Sequence, residues 1–325
     1  MKLMMMTVNW VRCLMLPLAA ATLALSAPAL AERLPPVKTL QSAGDLQVEI
    51  VDMTPRFLAF YREAAKVDDA DARFALWKEK YGFAAVPPGP AGEQMARELL
   101  DGAWTKYPAS LSRLQQGAKS FGNEPIETLS AVVRLLGADR PLAIRLVTYV
   151  GAFDDNAFAA RVQGVPVVHF PVEMPAERRR LLLPHEITHA VHMHLAGLSG
   201  GWERSVAATL IQEGLAMHVA RELNPGKPDA VYIEHEPGWW SAARGKQQDI
   251  LKGLLPALAA KDSDTVFRFT VGKGPAGLNR EAYAAGWWVI EQLRSEGMTL
   301  AEIARVPEEN MPGLADKAIS AMLER

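Results

Sequence analysis

The chain has 325 residues and 35.5 kDa, 49% of them hydrophobic and 22% charged, with a formal net charge of −2. That length and balance describe one large or two modest folded domains and exclude a disordered, collagen-like or low-complexity chain. A charge near zero gives no overall footprint for nucleic acid or an anionic membrane. The single cysteine, Cys13, excludes disulfide scaffolds, thiol catalysis and cysteine-ligated zinc.

The N-terminus reads as an export signal. Lys2 and Arg12 precede an apolar run from Leu14 to Leu25, and Ser26-Ala27-Pro28-Ala29-Leu30-Ala31 offers an A-x-A-like cleavage site before Glu32. Pro17, Pro28 and the short apolar run argue against a membrane anchor. Cys13 lies too early to be the lipid-bearing cysteine of a lipoprotein. Residues 1–31 are therefore expected to be cleaved. That leaves 32–325 as an exported, periplasmic or secreted domain without a membrane span. Loss of Lys2 and Arg12, with no acid among 1–31, takes the formal charge from −2 to −4.

Leu34-Pro35-Pro36 reads as a linker, and Leu46, Val48 and Ile50 alternate with polar neighbours as in a half-buried strand. From about 40 to 137 the remaining patterns are helical, broken at Pro87-Pro88-Gly89-Pro90, at Pro108 and at Gly122-Asn123. Strand character returns over 141–150. Ala157–Val162 and Val165–Phe170 flank Gln163-Gly164, which predicts a two-residue hairpin. Pro166 removes a ladder donor, so the second of these strands is expected at a sheet edge. From Ala176 to the C-terminus nearly every segment reads helical, about 226–325 forming a C-terminal helical part after the sheet and metal helices of about 138–225. The expected fold is α+β, a small, mostly antiparallel sheet framed by many helices.

Leu183-Pro184-His185-Glu186-Ile187-Thr188-His189 is the informative stretch. On a helix, His185 and His189 project from one face on consecutive turns, so both can bind one Zn²⁺ while Glu186 reaches its water. Zinc lowers the pKa of that water towards about 7, and a carboxylate can take its proton as a carbonyl is attacked. With seven His and 23 Glu in 325 residues, H-E-x-x-H is expected by chance only about 0.01 times. Pro184 fits either the first turn of the metal helix or a kink in a longer helix beginning near Ala176.

A catalytic zinc takes three protein ligands and leaves one position open. Metzincins place a third His where this chain has Leu195, and a Gly where it has His192, which excludes that class. His192 lies two turns from His185, about 10 Å along the axis, too far to share a tetrahedral metal with both. Gln212-Glu213-Gly214-Leu215-Ala216 lies 24 residues past His189, in an apolar helical run from Val206 to Leu223, room enough for a helix, a turn at Gly197–Gly201 and a return.

An E-G-L-A segment on the helix after H-E-x-x-H resembles the gluzincin zinc peptidases, and most nearly the bacterial peptidase-MA-like and predicted zinc-dependent protease groups. The resemblance covers roughly 165–289 and is strongest at the two motifs. It implies a zincin-like fold, His185, His189 and Glu213 as zinc ligands and Glu186 as general base. It also implies that the edge strand Val165–Phe170 lines the cleft and pairs there with an extended peptide. Thermolysin-like enzymes carry an acid where this chain has Met217, so the ligand histidines must be oriented from elsewhere. The G-x-M-E-N exopeptidase signature is absent.

The donor for the reaction's oxyanion is sought among Tyr232, His235 and Tyr283. Tyr283 opens the helix Tyr-Ala-Ala-Gly-Trp-Trp-Val-Ile, similar to an aromatic-then-glycine helix of the predicted-protease groups. It is equally readable as a core stripe with Trp287 and Ile290. Trp239-Trp240 and Trp287-Trp288 line a cleft or fill a core. His194 and His218 read as surface and packing, His169 as a weak substrate contact, and Arg178-Arg179-Arg180 as a solvated face. The sequence thus points to an exported zinc peptidase acting on a peptide or protein. The competing readings are a non-catalytic periplasmic metal-binding protein and a helical interaction or solute-binding module.

Overall fold

The computed structural model describes residues 34–86, 89–198 and 204–324. The expected signal segment 1–31 and part of the Gly197–Gly201 turn lie outside them. The architecture is α+β. Five strands, β1 (Val37–Ala43), β2 (Leu46–Asp52), β3 (Leu142–Tyr149), β4 (Phe158–Val162) and β5 (Val165–Pro171), form one sheet ordered β1-β2-β3-β5-β4. Between β2 and β3 run α1 (Thr54–Ala64), α2 (Ala70–Lys80), α3 (Pro90–Ala103), α4 (Tyr107–Leu114) and α5 (Glu124–Leu136). After the sheet come α6 (Ala176–Leu195), α7 (Val206–Leu223), α8 (Ala230–Ile233), α9 (Trp239–Gly245) and α10 (Gln247–Leu254). The chain ends with α11 (Ser263–Thr270), α12 (Glu281–Ser295), α13 (Leu300–Ile303) and α14 (Met311–Leu323). No helix among the described residues is long and apolar enough to cross a membrane.

Two expectations for the sheet need correction. It is mixed rather than mostly antiparallel: β1–β2 and β4–β5 are antiparallel, but β2–β3 and β3–β5 are parallel. The reason is the connection. Five helices separate β2 from β3, and a crossover of that length returns the chain in the same direction. Nor is Val165–Phe170 at the edge; β5 is interior, and the two edges are β1 and β4. Pro166 is harmless inside because the ladder with β3 begins only at Val167. The hairpin itself is as expected, Gln163 (φ 50°) and Gly164 (φ 81°) both being left-handed, as a tight hairpin turn requires. β1 lacked an alternating pattern and is nearly all exposed.

In register across the sheet, Leu46, Val48 and Ile50 of β2 face Leu142, Ile144 and Leu146 of β3, and Leu146 faces Val168 of β5. These residues are buried, and one continuous core runs from this face through α5, α6, α7 and α12 to Ile319. α5 packs on β1 and β2, and α6 on β4 and β5. The sheet thereby sets the position of α6, the helix that carries H-E-x-x-H.

Candidate metal centre

α6 contains the whole H-E-x-x-H motif, with Pro184 inside it rather than at its start. A proline at 184 cannot donate to the carbonyl of residue 180. That carbonyl, of Arg180, instead accepts from the side-chain amide of Asn224 at 3.0 Å, just beyond the end of α7. The start of α6 is thereby tied to the end of α7, so the two helices run antiparallel with Glu213 opposite the two histidines. α7 starts on Ser205, whose hydroxyl accepts from the amide of Ala208.

The three expected ligands converge. His185 Nε2 and His189 Nε2 are 3.1 Å apart, and Glu213 Oε2 lies 3.2 Å from the first and 3.5 Å from the second. Donors bound at 2.0–2.1 Å in tetrahedral geometry stand about 3.3 Å from one another, so the three atoms already have the spacing one small metal ion requires. Nothing else among the described residues forms such a group. The side chains of His185, His189 and Glu213 are 12, 10 and 16% exposed, so the group opens to solvent on one side.

The electrostatics follow from this packing. Burial alone would raise the Glu213 carboxyl, but the two imidazoles outweigh it and hold Glu213 well below the usual carboxylate range. Burial opposes protonation of His189, and the Glu213 carboxylate reverses that, leaving His189 above its ordinary value. Glu186 is buried, and loss of hydration raises its carboxyl against the pull of His185 and His189. It is not one of the three clustered groups, and its raised carboxyl holds a proton more readily than a free one.

α12 closes the site from the other side. It crosses α7 where Gly214 and Gly286 meet: a Cβ on Gly286 would collide with the carbonyl of Leu210, and one on Gly214 with the carbonyl of Gly286. The crossing brings the half-buried Tyr283 into the field of both Glu213 and Glu186, and burial raises its phenol above the ordinary value. Tyr232 is differently occupied, donating its hydroxyl to the carbonyl of Asn224. His235 packs edge-on against Trp239 at 4.7 Å, and burial lowers it to about 4. Trp287 and Ile290 belong to the core, as do Trp239, Trp240 and Trp288, and Trp240, Trp287 and Trp288 also line a cavity whose walls include none of His185, His189 and Glu213.

The remaining histidines lie outside the three-residue group. His192 is fully buried, neither ring nitrogen has a partner, and burial lowers it to about 3. His218 binds the carbonyl of Trp287 at 3.0 Å and the guanidinium of Arg221 at 2.9 Å. His194 is exposed. His169, expected on an edge strand, is buried within β5 and stacked on Phe158 at 4.3 Å. The arginine run is only partly a solvated face: Arg180 is exposed, whereas Arg179 is buried over Phe121 and paired with Glu124 at 2.7 Å.

Two residues beside the centre carried no sequence signal. Arg204 precedes α7, donates to the side chain of Gln212 and faces Glu213. Arg280 precedes α12 with its guanidinium 3.8 Å over the ring of Tyr283. Comparison with family models, curated proteins and solved structures finds no match for the chain.

Proposed function

We propose that the protein is an exported zinc-dependent peptidase of gluzincin type, with His185, His189 and Glu213 as ligands and Glu186 as general base. The observation that carries this reading is the convergence of two imidazoles and one carboxylate at tetrahedral spacing, with a buried, non-ligating Glu186 one residue from the first histidine. Two nitrogen donors and one oxygen donor, open on one side, suit zinc, and zinc in such a site supplies a Lewis acid and an acidified water.

Glu186, with a raised proton affinity, accepts a proton from water as it attacks the carbonyl and returns it to the leaving amine. Tyr283 keeps its phenolic proton at neutral pH and is the donor placed to bind the developing oxyanion. The free edge of β4, packed along α6 and tied to it by Arg161 bonding the carbonyl of Met193 at 2.9 Å, offers an extended peptide a strand to pair with. On this reading β4, not β5, would border the cleft.

The test is mass-spectrometric cleavage of a peptide library by wild type and Glu186→Gln, with metal content measured on both. The expected result is hydrolysis by wild type, lowered about 10²–10⁴-fold in the variant while zinc is retained. Zinc bound by both and hydrolysis by neither would leave a metal-binding protein in which the helix pair is structural. Loss of zinc from Glu186→Gln would make Glu186 a ligand.

A further inference from the structure

Arg280 ends a turn that is bonded almost residue by residue. The amide of Gly274 donates to the carbonyl of Leu278 at 2.9 Å, Lys273 bridges Asn279, and the indole of Trp239 donates to the carbonyl of Asn279 at 2.9 Å. The amide of Leu278 donates in turn to the carboxylate of Glu281, the first residue of α12, at 3.0 Å. This frame holds Arg280 in the left-handed region at φ 58°, ψ 35°, a conformation unfavourable for a residue with a Cβ. Residues kept there by their surroundings cluster at ligand-binding sites.

The side chain's partner is Tyr283: the guanidinium lies 3.8 Å over its ring and hydrogen-bonds its side chain. It is half-buried, and no carboxylate pairs with it in a salt bridge among the described residues. Its charge nevertheless reaches Glu186 and His235. A guanidinium carries five N–H donors in a planar fork that matches a carboxylate, and a phenol oxygen with its ring face cannot take them all. Arg204, by contrast, is offset by Glu213 and Glu308. With a divalent ion bound, the charges of Glu186 and Glu213 would be offset by the metal, and Arg280 would keep its positive charge for a ligand.

We propose that Arg280 binds a carboxylate of the peptide close to the scissile bond, either the C-terminus or a neighbouring acidic side chain. This rests on the peptidase reading and adds a substrate class to it: peptides that present an anion at the cleavage site.

Binding and cleavage test it separately on the zinc-loaded protein. Calorimetry with N-acetyl-leucine and its amide should show the acid binding at least tenfold more tightly. Arg280→Gln should abolish the difference and Arg280→Lys restore part of it. Arg280→Gly, which suits a φ of 58°, should keep the fold and zinc content while losing the preference. In cleavage, an N-acetylated peptide acid should exceed its C-terminal amide at least tenfold in kcat/KM. An amide bearing Glu at its last position recovers the rate only if an acidic side chain is the natural anion. Equal binding of acid and amide, or a preference unchanged in Arg280→Gln, overturns the proposal. Selective binding through Arg280 without cleavage of any peptide would instead uphold the anion site and overturn the peptidase reading.

Discussion

Two carboxylates inside the fold, Glu173 buried and Glu213 half-buried, are accommodated in opposite ways. Glu173 follows β5 and takes the amides of Gly151 at 2.9 Å and Phe153 at 3.3 Å, beside the aromatic rings of Tyr81, Tyr107 and Tyr149. Burial there dominates, and its carboxyl is pushed up to about 7. Glu213 has no backbone donor among the described residues and faces two imidazoles, which hold it well below its usual range. The first site is complete within the chain, since backbone N–H groups satisfy the acid. The second consists of three groups that each offer a lone pair to the same point, an arrangement that only a proton or a metal ion relieves. A buried acid satisfied by amides needs nothing more; one that meets two imidazoles is a group that could hold a metal ion.

The comparison is broken most sharply by deleting each acid. Glu213→Ala should weaken zinc binding more than about a hundredfold, because structural zinc sites distribute some 10–16 kcal/mol over four ligands. Circular dichroism should be unchanged, and His192→Ala should have a smaller effect in the same chelator series. The opposite ranking would move the third ligand to His192. Glu173→Gln should leave zinc binding intact and alter the pH dependence of stability instead. A carboxyl raised from 4.5 to about 7 contributes stability in full below pH 4.5, and loses it as pH rises through about 7. The loss in wild type is at most about 3 kcal/mol. Chemical denaturation between pH 4.5 and 8 should show that decline in wild type and a flatter profile in Glu173→Gln. Parallel profiles would mean that Glu173 is ionised throughout.

The contrast sharpens further at the α7–α12 crossing. Gly286→Ala places a methyl against the carbonyl of Leu210, backbone that cannot yield as a flexible side chain would. Overpacking of this kind costs about 1–3 kcal/mol. It should also shift Tyr283 and Arg280 relative to Glu213, so turnover should fall more than zinc affinity. A melting temperature and rate equal to wild type would show that the helices separate without consequence.

What was legible in the sequence was local. Spacings of four and one place His185, His189 and Glu186 whatever helix carries them, and Gln163-Gly164 specifies a hairpin by itself. The E-G-L-A segment gave Glu213 through resemblance. What could not be read depends on partners distant in the chain. β2 and β3 are parallel because of five intervening helices, and β4 rather than β5 is an edge because β5 inserts beside β3. Arg179 is buried by Glu124, fifty-five residues earlier, in a run that otherwise looks solvated. Arg280 becomes notable only when a turn folds it over Tyr283 in a left-handed conformation.

The smallest effect is expected where the helix pair makes good a defect of its own. Pro184 leaves the carbonyl of Arg180 without its helical donor, and Asn224 supplies one from the other metal helix while also bonding the carbonyl of Ala220 at 3.2 Å. Arg180 is exposed, so in Asn224→Ala water can take the vacated place and the cost should be only about 0.5–1.5 kcal/mol. Asn224→Asp should cost more than alanine, since it sets a carboxylate oxygen against two carbonyls. Replacing Pro184 by alanine restores an N–H for the Arg180 carbonyl, so in that background Asn224→Ala should cost less. A double-mutant cycle measures the coupling directly. Independent, additive effects would mean that Asn224 merely caps α7 and that the alignment of Glu213 with His185 and His189 is set by core packing alone.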